Sequence, residues 1–453
     1  MESTTTKSYK VAITTRDILR MALPISLSIL VPQINFITNN IFLGHLDQAG
    51  NALSAAGITG VYYLLFAVVG GGLNSGLQAL ISRRAGEGRI EEIGKLFNQG
   101  VIISLALAAT GILVTYFLAP HILSFSLHSE DLQRQSADFL RIRIWGLPFL
   151  YVYRMRNALL VGTNQSKFLV YGTLAETIVN IGLDYGLIFG HFGLPNMGFN
   201  GAAFSSIAAE AAGMGVVFLV IHNKGISREL QLFRHWRFDP QNSRLILIKS
   251  SPLIFQYTIS ITSWVFFYIL IEHHGRQALA ISNTMRNLFG LFGVFIWAFA
   301  STTNAMVSNI IGQGLEHRVT ELIVKIIRLS TSFAVVIAIL LNIFPRVFLS
   351  VYGQDAAFTA AAIPVIRVVS SALILMSFSF IWLNAVTGTG NTRINLLIEF
   401  VTIVIYASYI YLVLERWHMS LVIGWLSEWV YWLSIFIQSF LYIRSGKWKG
   451  KVI

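Results

Sequence analysis

The chain has 453 residues, of which 55% are apolar and 13% aromatic while only 12% are charged, and its mean hydropathy is +0.65. That balance excludes a soluble globular domain, and the lack of any cysteine excludes disulfides, cysteine-ligated metals and thiol chemistry. The net charge of +12 reads as a topology signal rather than a nucleic-acid footprint, because no soluble basic domain is present to carry one.

Twelve mostly apolar runs, each near the length of about 20 residues that crosses a bilayer as a helix, occupy 19–43, 53–81, 97–118, 139–160, 168–189, 197–221, 245–271, 279–311, 322–344, 363–386, 394–414 and 419–443. They are continuous rather than alternating, so the expected class is an all-α integral membrane protein and not a barrel. The polar start is followed by a run too long for a signal-peptide core, and that first span is expected to stay. Of the 33 lysines and arginines, 23 lie at the chain ends or by the loops after runs 2, 4, 6, 8 and 10. Four, Arg134, Arg276, Arg346 and Arg416, lie in the opposite loops. The asymmetry predicts a multi-pass protein of the inner membrane with both termini and Gly225 cytoplasmic and Gln48 outside.

Sliding the chain along itself by 226 residues lays "NAL" at 51–53 on "QAL" at 277–279, "ISRRAGEG" at 81–88 on "VSNIIGQG" at 307–314, and "GTNQSK" at 162–167 on "GTGNTR" at 388–393. Six spans per repeat is an even number, so the halves are expected to be parallel and pseudo-symmetric. The expected domains are a six-helix lobe at 1–221, a basic cytoplasmic linker at 222–244 and a second six-helix lobe at 245–453. Two such lobes with a cleft between them suit alternating access, with substrate held near the midplane. Enzyme chemistry has no motif here: "HExxH", "GxSxG" and "GxxxxGK" are all missing. The paired His273 and His274 read as interfacial residues. No metal and no cofactor is expected, and the energy source is expected to be an ion gradient.

At this point the residues resemble a known family. "MALPISLSILVPQINFITNNIFLGHL" at 21–46, "ALSAAG" at 52–57, "FLRIRIWGLPF" at 139–149, the "GTNQSK" and "GTGNTR" turns, and "NIGLDYGLIFG" at 180–190 are similar to the multidrug and toxic compound extrusion family, with "FLRIR" leaning toward its DinF-like branch. The resemblance covers nearly the whole chain. It implies antiport, in which a proton or sodium ion enters as a lipophilic, often cationic organic compound leaves. It also implies ion-coupling roles for Asn180 and Asp184. Many members carry an aspartate near the end of span 1, where this chain has Asn39, and an amide cannot exchange a proton near neutral pH.

The residues themselves add a stripe. Glu176, Asn180 and Asp184 are four apart and share one face of span 5, where charge costs at least a few kcal/mol. Glu176 is expected near the midplane as the proton carrier, paired with Arg156 from span 4, and Asp184 nearer the outer, wetter end. At the repeat offset Glu176 falls on Thr402 and Asp184 on Ile410, so coupling is expected in the first half. Tyr153, Arg156, Glu210, Tyr257, Arg286, Glu399 and Glu428 are candidates for the substrate cavity, and Pro24 and Pro32 for a kink or hinge in span 1. The expected partners are a small organic substrate, the coupling ion and membrane lipid, with the protein working as a monomer. The rival reading is a flippase for lipid-linked saccharides, which needs a cationic cavity for pyrophosphate.

Overall fold

A computed structural model describes residues 9–46, 49–127, 129–234, 236–350 and 355–450; Gln48, expected on the outer side, lies outside them. The described residues are helical, without a strand. In order, the helices are α1 (Thr15–Leu43), α2 (Ala49–Glu87), α3 (Ile90–Ser126), α4 (Glu130–Arg143), α5 (Leu147–Gly162), α6 (Leu169–Phe189), α7 (Gly198–Asn223), α8 (Ile226–Glu229) and α9 (Pro240–Glu272). Then follow α10 (Arg276–Gly312), α11 (Val319–Ile343), α12 (Pro345–Ser350), α13 (Ala356–Gly388), α14 (Thr392–Ile410), α15 (Leu421–Trp425) and α16 (Ser427–Arg444).

Ten helical segments among the described residues are long and apolar enough to cross a membrane. The expected spans 4 and 5 are helical but fall short of that standard, each for a visible reason. Span 4 is divided between α4 and α5 by a 3-10 turn at Ile144–Gly146, and α6 carries the polar stripe.

The chain divides into two compact units, Leu27–Ser250 and Met1–Ser26 with Ser251–Ile453. The boundary falls inside α1, between Pro24 and Pro32, although α1 runs as one helix through both prolines. The repeat is visible in the backbone. Positive φ recurs at Gly88 (77°) and Gly314 (78°), and at Asn164 (57°) and Gly390 (82°), each pair 226 residues apart. A Cβ added at Gly162 would meet Ile81 at 2.7 Å, and one at Gly388 would meet Val307 at 2.9 Å, which is the same close approach in both halves.

In the unit Leu27–Ser250, α6 and α7 pack along their length. They touch at glycine: a Cβ on Gly213 would lie 3.0 Å from the Gly172 carbonyl oxygen and 3.1 Å from the Cβ of Glu176. Small residues let the two backbones close, and that contact fixes where the α6 stripe faces. The linker is tied down. Gln99 of α3 accepts hydrogen bonds from the Asp239 amide (3.0 Å) and the Ser243 hydroxyl (3.0 Å) and donates to the Arg237 carbonyl (2.7 Å).

In the other unit α13 is central, packed by α10, α11 and α16. The segment before α1 has no regular secondary structure but alternates in burial, with Tyr9, Val11 and Ile13 buried and Lys10, Ala12 and Thr14 exposed. Asn309 holds it from α10, donating to the Tyr9 carbonyl and accepting from the Val11 amide, both at 3.1 Å. Gln313 donates to the Val11 carbonyl and Lys325 of α11 to the Ile13 carbonyl, each at 3.0 Å.

Candidate functional site

The α6 stripe meets α1 and α7 at its C-terminal end. Asp184 is fully buried, and its Oδ1 accepts a hydrogen bond from the Ser205 hydroxyl of α7. The Asn39 amide has both of its atoms satisfied when its nitrogen faces α6. In that orientation its two hydrogens are shared among three acceptors, Asp184 Oδ2 and, each at 3.0 Å, Asn180 Oδ1 and the Asn35 carbonyl. Asn39, Asn180 and Asp184 are thus brought into one cluster, with Ser205 as a fourth member. On the α6 and α7 side the cluster is buried, Asn180 being 3% exposed and Asp184 and Ser205 0%, while Asn39 of α1 is half-buried. The sequence expectation of a wetter Asp184 is corrected, because the α7 hydroxyl and the α1 amide close over it.

Glu176 lies two turns earlier, about 12 Å along the helix at 1.5 Å per residue. It is half-buried against Gly213. The expected pair with Arg156 does not form. Arg156 is fully buried, donates to the Met214 carbonyl through Nη1, and has its guanidinium 4.3 Å from the Phe218 ring centroid. A carbonyl and an aromatic face, both of α7, take the cation instead.

The buried ion pair of this unit is instead Arg143 with Glu210. The guanidinium of α4 grips the carboxylate of α7 through two bonds, Nη1 to Oε2 at 3.0 Å and Nη2 to Oε1 at 2.5 Å, and stacks 4.0 Å from the Tyr63 ring centroid. Gly146 makes room for it: an added Cβ would collide with both Arg143 Nη1 and Glu210 Oε2. Arg143 and Gly146 both belong to the "FLRIRIWGLPF" stretch. Sequence reasoning named Glu210 but missed Arg143, which reads as a span-end charge. The signal that would have found it is the arginine three positions before a glycine within that stretch.

The remaining candidates scatter. Tyr153 bonds Thr173 at 3.0 Å, and Tyr257 is half-buried. Arg286 is exposed, 5.3 Å from the Tyr268 ring centroid. Two carboxyls in the unit Met1–Ser26 with Ser251–Ile453 are buried. Glu428 accepts from the Trp432 indole at 3.1 Å, and Glu399 accepts from the Tyr431 hydroxyl at 2.6 Å and the Gln256 amide at 3.4 Å. Among the described residues no group of three or more histidines and carboxylates gathers for a metal.

Comparison with known proteins matches the MatE family model at residues 24–186 and again at 252–412, two copies that fall on the two halves of the repeat. A probable multidrug resistance protein NorM of Thermotoga maritima is 22% identical over 447 residues, covering 97% of this chain and 94% of that one. An uncharacterized transporter, YisQ, of Bacillus subtilis is 24% identical over 366 residues, covering 78% of each. Among solved structures, an outward-facing multidrug resistance MATE family transporter of the MOP superfamily superposes with a TM-score of 0.86 at 17% identity, covering 98% of both chains. A MOP superfamily transporter from Pyrococcus furiosus, described as having a binding pocket of reverse polarity, gives 0.86 at 14% identity, covering 99% of this chain and 98% of that one.

Proposed function

Because the chain belongs to the multidrug and toxic compound extrusion (MatE) family of membrane transporters, we propose that it exports lipophilic, often cationic organic compounds in exchange for protons by alternating access. In this reading residues 1–221 and 245–453 are the two lobes, 222–244 is the cytoplasmic linker, both termini face the cytoplasm across the inner membrane, and the protein works as a monomer. The observation that carries the proposal is the buried carboxyl of the α6 cluster, which among the described residues forms no ion pair and is held by an amide and a hydroxyl. A carboxylate taken out of water without a counter-charge must be neutralised, and a proton does this without a coordination shell. A sodium ion needs several oxygen ligands, and Asp184, Asn180 Oδ1 and the Ser205 hydroxyl could supply them, so imposing each gradient separately decides between the two ions. We assign Asp184, in place of the Glu176 expected from the sequence, as the seat of the coupling proton, Asn39 and Asn180 as the amides that fix its geometry, and Glu176 as the next carboxyl on the route. Tyr153, Arg156, Glu210, Tyr257, Arg286 and Glu428 remain candidates for the walls of the substrate cavity, and the stretch between Pro24 and Pro32 for the hinge.

The flippase reading needs unpaired cations for pyrophosphate. Arg143 is taken by Glu210, whereas Arg156, which bonds a carbonyl and faces a ring but leaves Nε and Nη2 unbonded, and Arg286 have no carboxylate partner among the described residues, so direct transport decides between the two readings. The test is transport of a fluorescent cationic dye by the purified protein in liposomes, with a proton or a sodium gradient imposed one at a time. The proposal expects transport with the proton gradient alone; transport driven only by sodium, or by neither while a lipid-linked saccharide crosses, overturns it.

A further inference from the structure

The second half of the repeat was expected to lack a coupling carboxyl, since Glu176 falls on Thr402. One helical turn earlier on the same helix, however, stands Glu399, whose repeat position in the first half is Thr173. Glu399 is 1% exposed and forms no ion pair among the described residues. Its Oε1 accepts the Tyr431 hydroxyl of α16 at 2.6 Å, a short bond, and its Oε2 faces the Gln256 amide nitrogen of α9 at 3.4 Å, a long one. Gln256 is itself 3% exposed, and its other amide atom, Oε1, has no hydrogen-bond partner. A buried carbonyl oxygen left open costs about 1–3 kcal/mol, and here it sits on the amide group that faces the carboxyl.

The open oxygen gains a partner if the carboxyl carries a proton. A carboxylic acid is a donor as well as an acceptor, and once the Gln256 amide turns over, its Oε1 accepts the acid proton in place of the weak N–H contact. Tyr431 still donates to Oε1 of the acid. We propose that Glu399, Gln256 and Tyr431 form a second proton-binding site, in the unit that does not contain the α6 cluster. The binding step adds one proton from solvent to Glu399 Oε2 and breaks no covalent bond; the hydrogen bond that changes is the one to Gln256.

The surroundings are polar but uncharged. From α9 the site is faced by Gln256 and Ser260, and from α16 by Tyr431, whose hydroxyl is 3.3 Å from that of Ser260. Glu428, one turn from Tyr431 on α16, is the next carboxyl. The ionisable residue of α13 is Arg367, which is exposed, and the π-helical end of α14 carries Glu415, engaged by His273. One turn beyond Glu399, Thr402 meets the Ser434 hydroxyl at 3.0 Å and accepts from Gln438 at 3.1 Å. These side chains extend the polar seam between α14 and α16 over a further turn.

This inference requires no gradient and no transport, so it stands or falls separately from the export reading. The experiment is infrared difference spectroscopy of the full-length protein in lipid nanodiscs during a pH titration, in a Glu176→Gln/Asp184→Asn background that removes the α6 carboxyls. The expected result is a carboxylic acid carbonyl band that disappears as pH rises and is lost in Glu399→Gln. Glu399→Asp, which keeps an acid there, should restore a band, and Tyr431→Phe should move it to higher frequency because the carbonyl loses its donor. If the titration of Glu399→Gln superimposes on that of its background, the proposal is overturned. It is equally overturned if the band does not respond to pH, or if sodium but not potassium abolishes it at fixed pH, which would make the site a sodium site.

Discussion

The Arg143–Glu210 pair offers a quantitative test of the packing. Its side chains are 13% and 10% exposed, both terminal guanidinium nitrogens are engaged, and the cation lies on the Tyr63 ring. Removing one partner strands the other charge in a site built for two, which costs about 3–5 kcal/mol. Arg143→Met and Glu210→Gln should each show a loss of that order in reversible unfolding in mixed micelles. The double variant Arg143→Met/Glu210→Met should recover most of it, since well-packed apolar replacements of a buried pair are often neutral. Gly146→Ala should resemble the single variants, because its methyl group occupies the space between Arg143 Nη1 and Glu210 Oε2. Single losses below about 1 kcal/mol, the range of exposed pairs, or a double variant as unstable as the sum of the singles, would refute the reasoning.

Asn309→Leu should release the segment from Tyr9 to Ile13, since it removes both the acceptor for Val11 and the donor to Tyr9; hydrogen exchange at residues 9–13 should rise severalfold while that of α13 stays unchanged. Asp239 accepts the Gln241 and Asn242 amides at 3.0 and 3.2 Å at the start of α9, and these bonds hold its carboxyl below the usual aspartate value. A depressed value means the contact is intact above the unfolded pKa and weakens as pH falls through the folded one. Protection of the first turn of α9 should therefore fall in acid, and Asp239→Asn should flatten that dependence. His273 behaves oppositely: its bond to Glu415 at 2.9 Å raises its pKa above 6.5. That contact is therefore full below 6.5 and lost as pH rises through the folded value, a loss that NMR titration of the imidazole would follow.

The helical class and the repeat were legible because lipid forces backbone groups to pair within a segment and because the same turns recur at one offset. Positive φ at residues 88, 164, 314 and 390 is the physical content of the quoted turn motifs. The candidate cluster was legible in its composition, since Asn39, Asn180 and Asp184 do meet. Its closure was not, because Ser205 is one of many serines and nothing local marks it as facing α6. Arg156 shows the limit of depth arguments: equal depth put it beside Glu176, but a nearer carbonyl on α7 takes the cation. The segment from Tyr9 to Ile13 alternates visibly, yet what recognises it lies some 300 residues away in α10, beyond any local pattern.

The central claim is that the coupling proton is held on α6. The most direct measurement is dye transport in proteoliposomes under a fixed pH gradient, comparing wild type with Asp184→Asn and Glu176→Gln, with dye binding measured on the same preparations. The account predicts that Asp184→Asn loses proton-driven transport by roughly tenfold or more, at least about 1.4 kcal/mol in the barrier, while dye binding is retained, and that Glu176→Gln is also impaired. Full proton-driven transport by Asp184→Asn would contradict it.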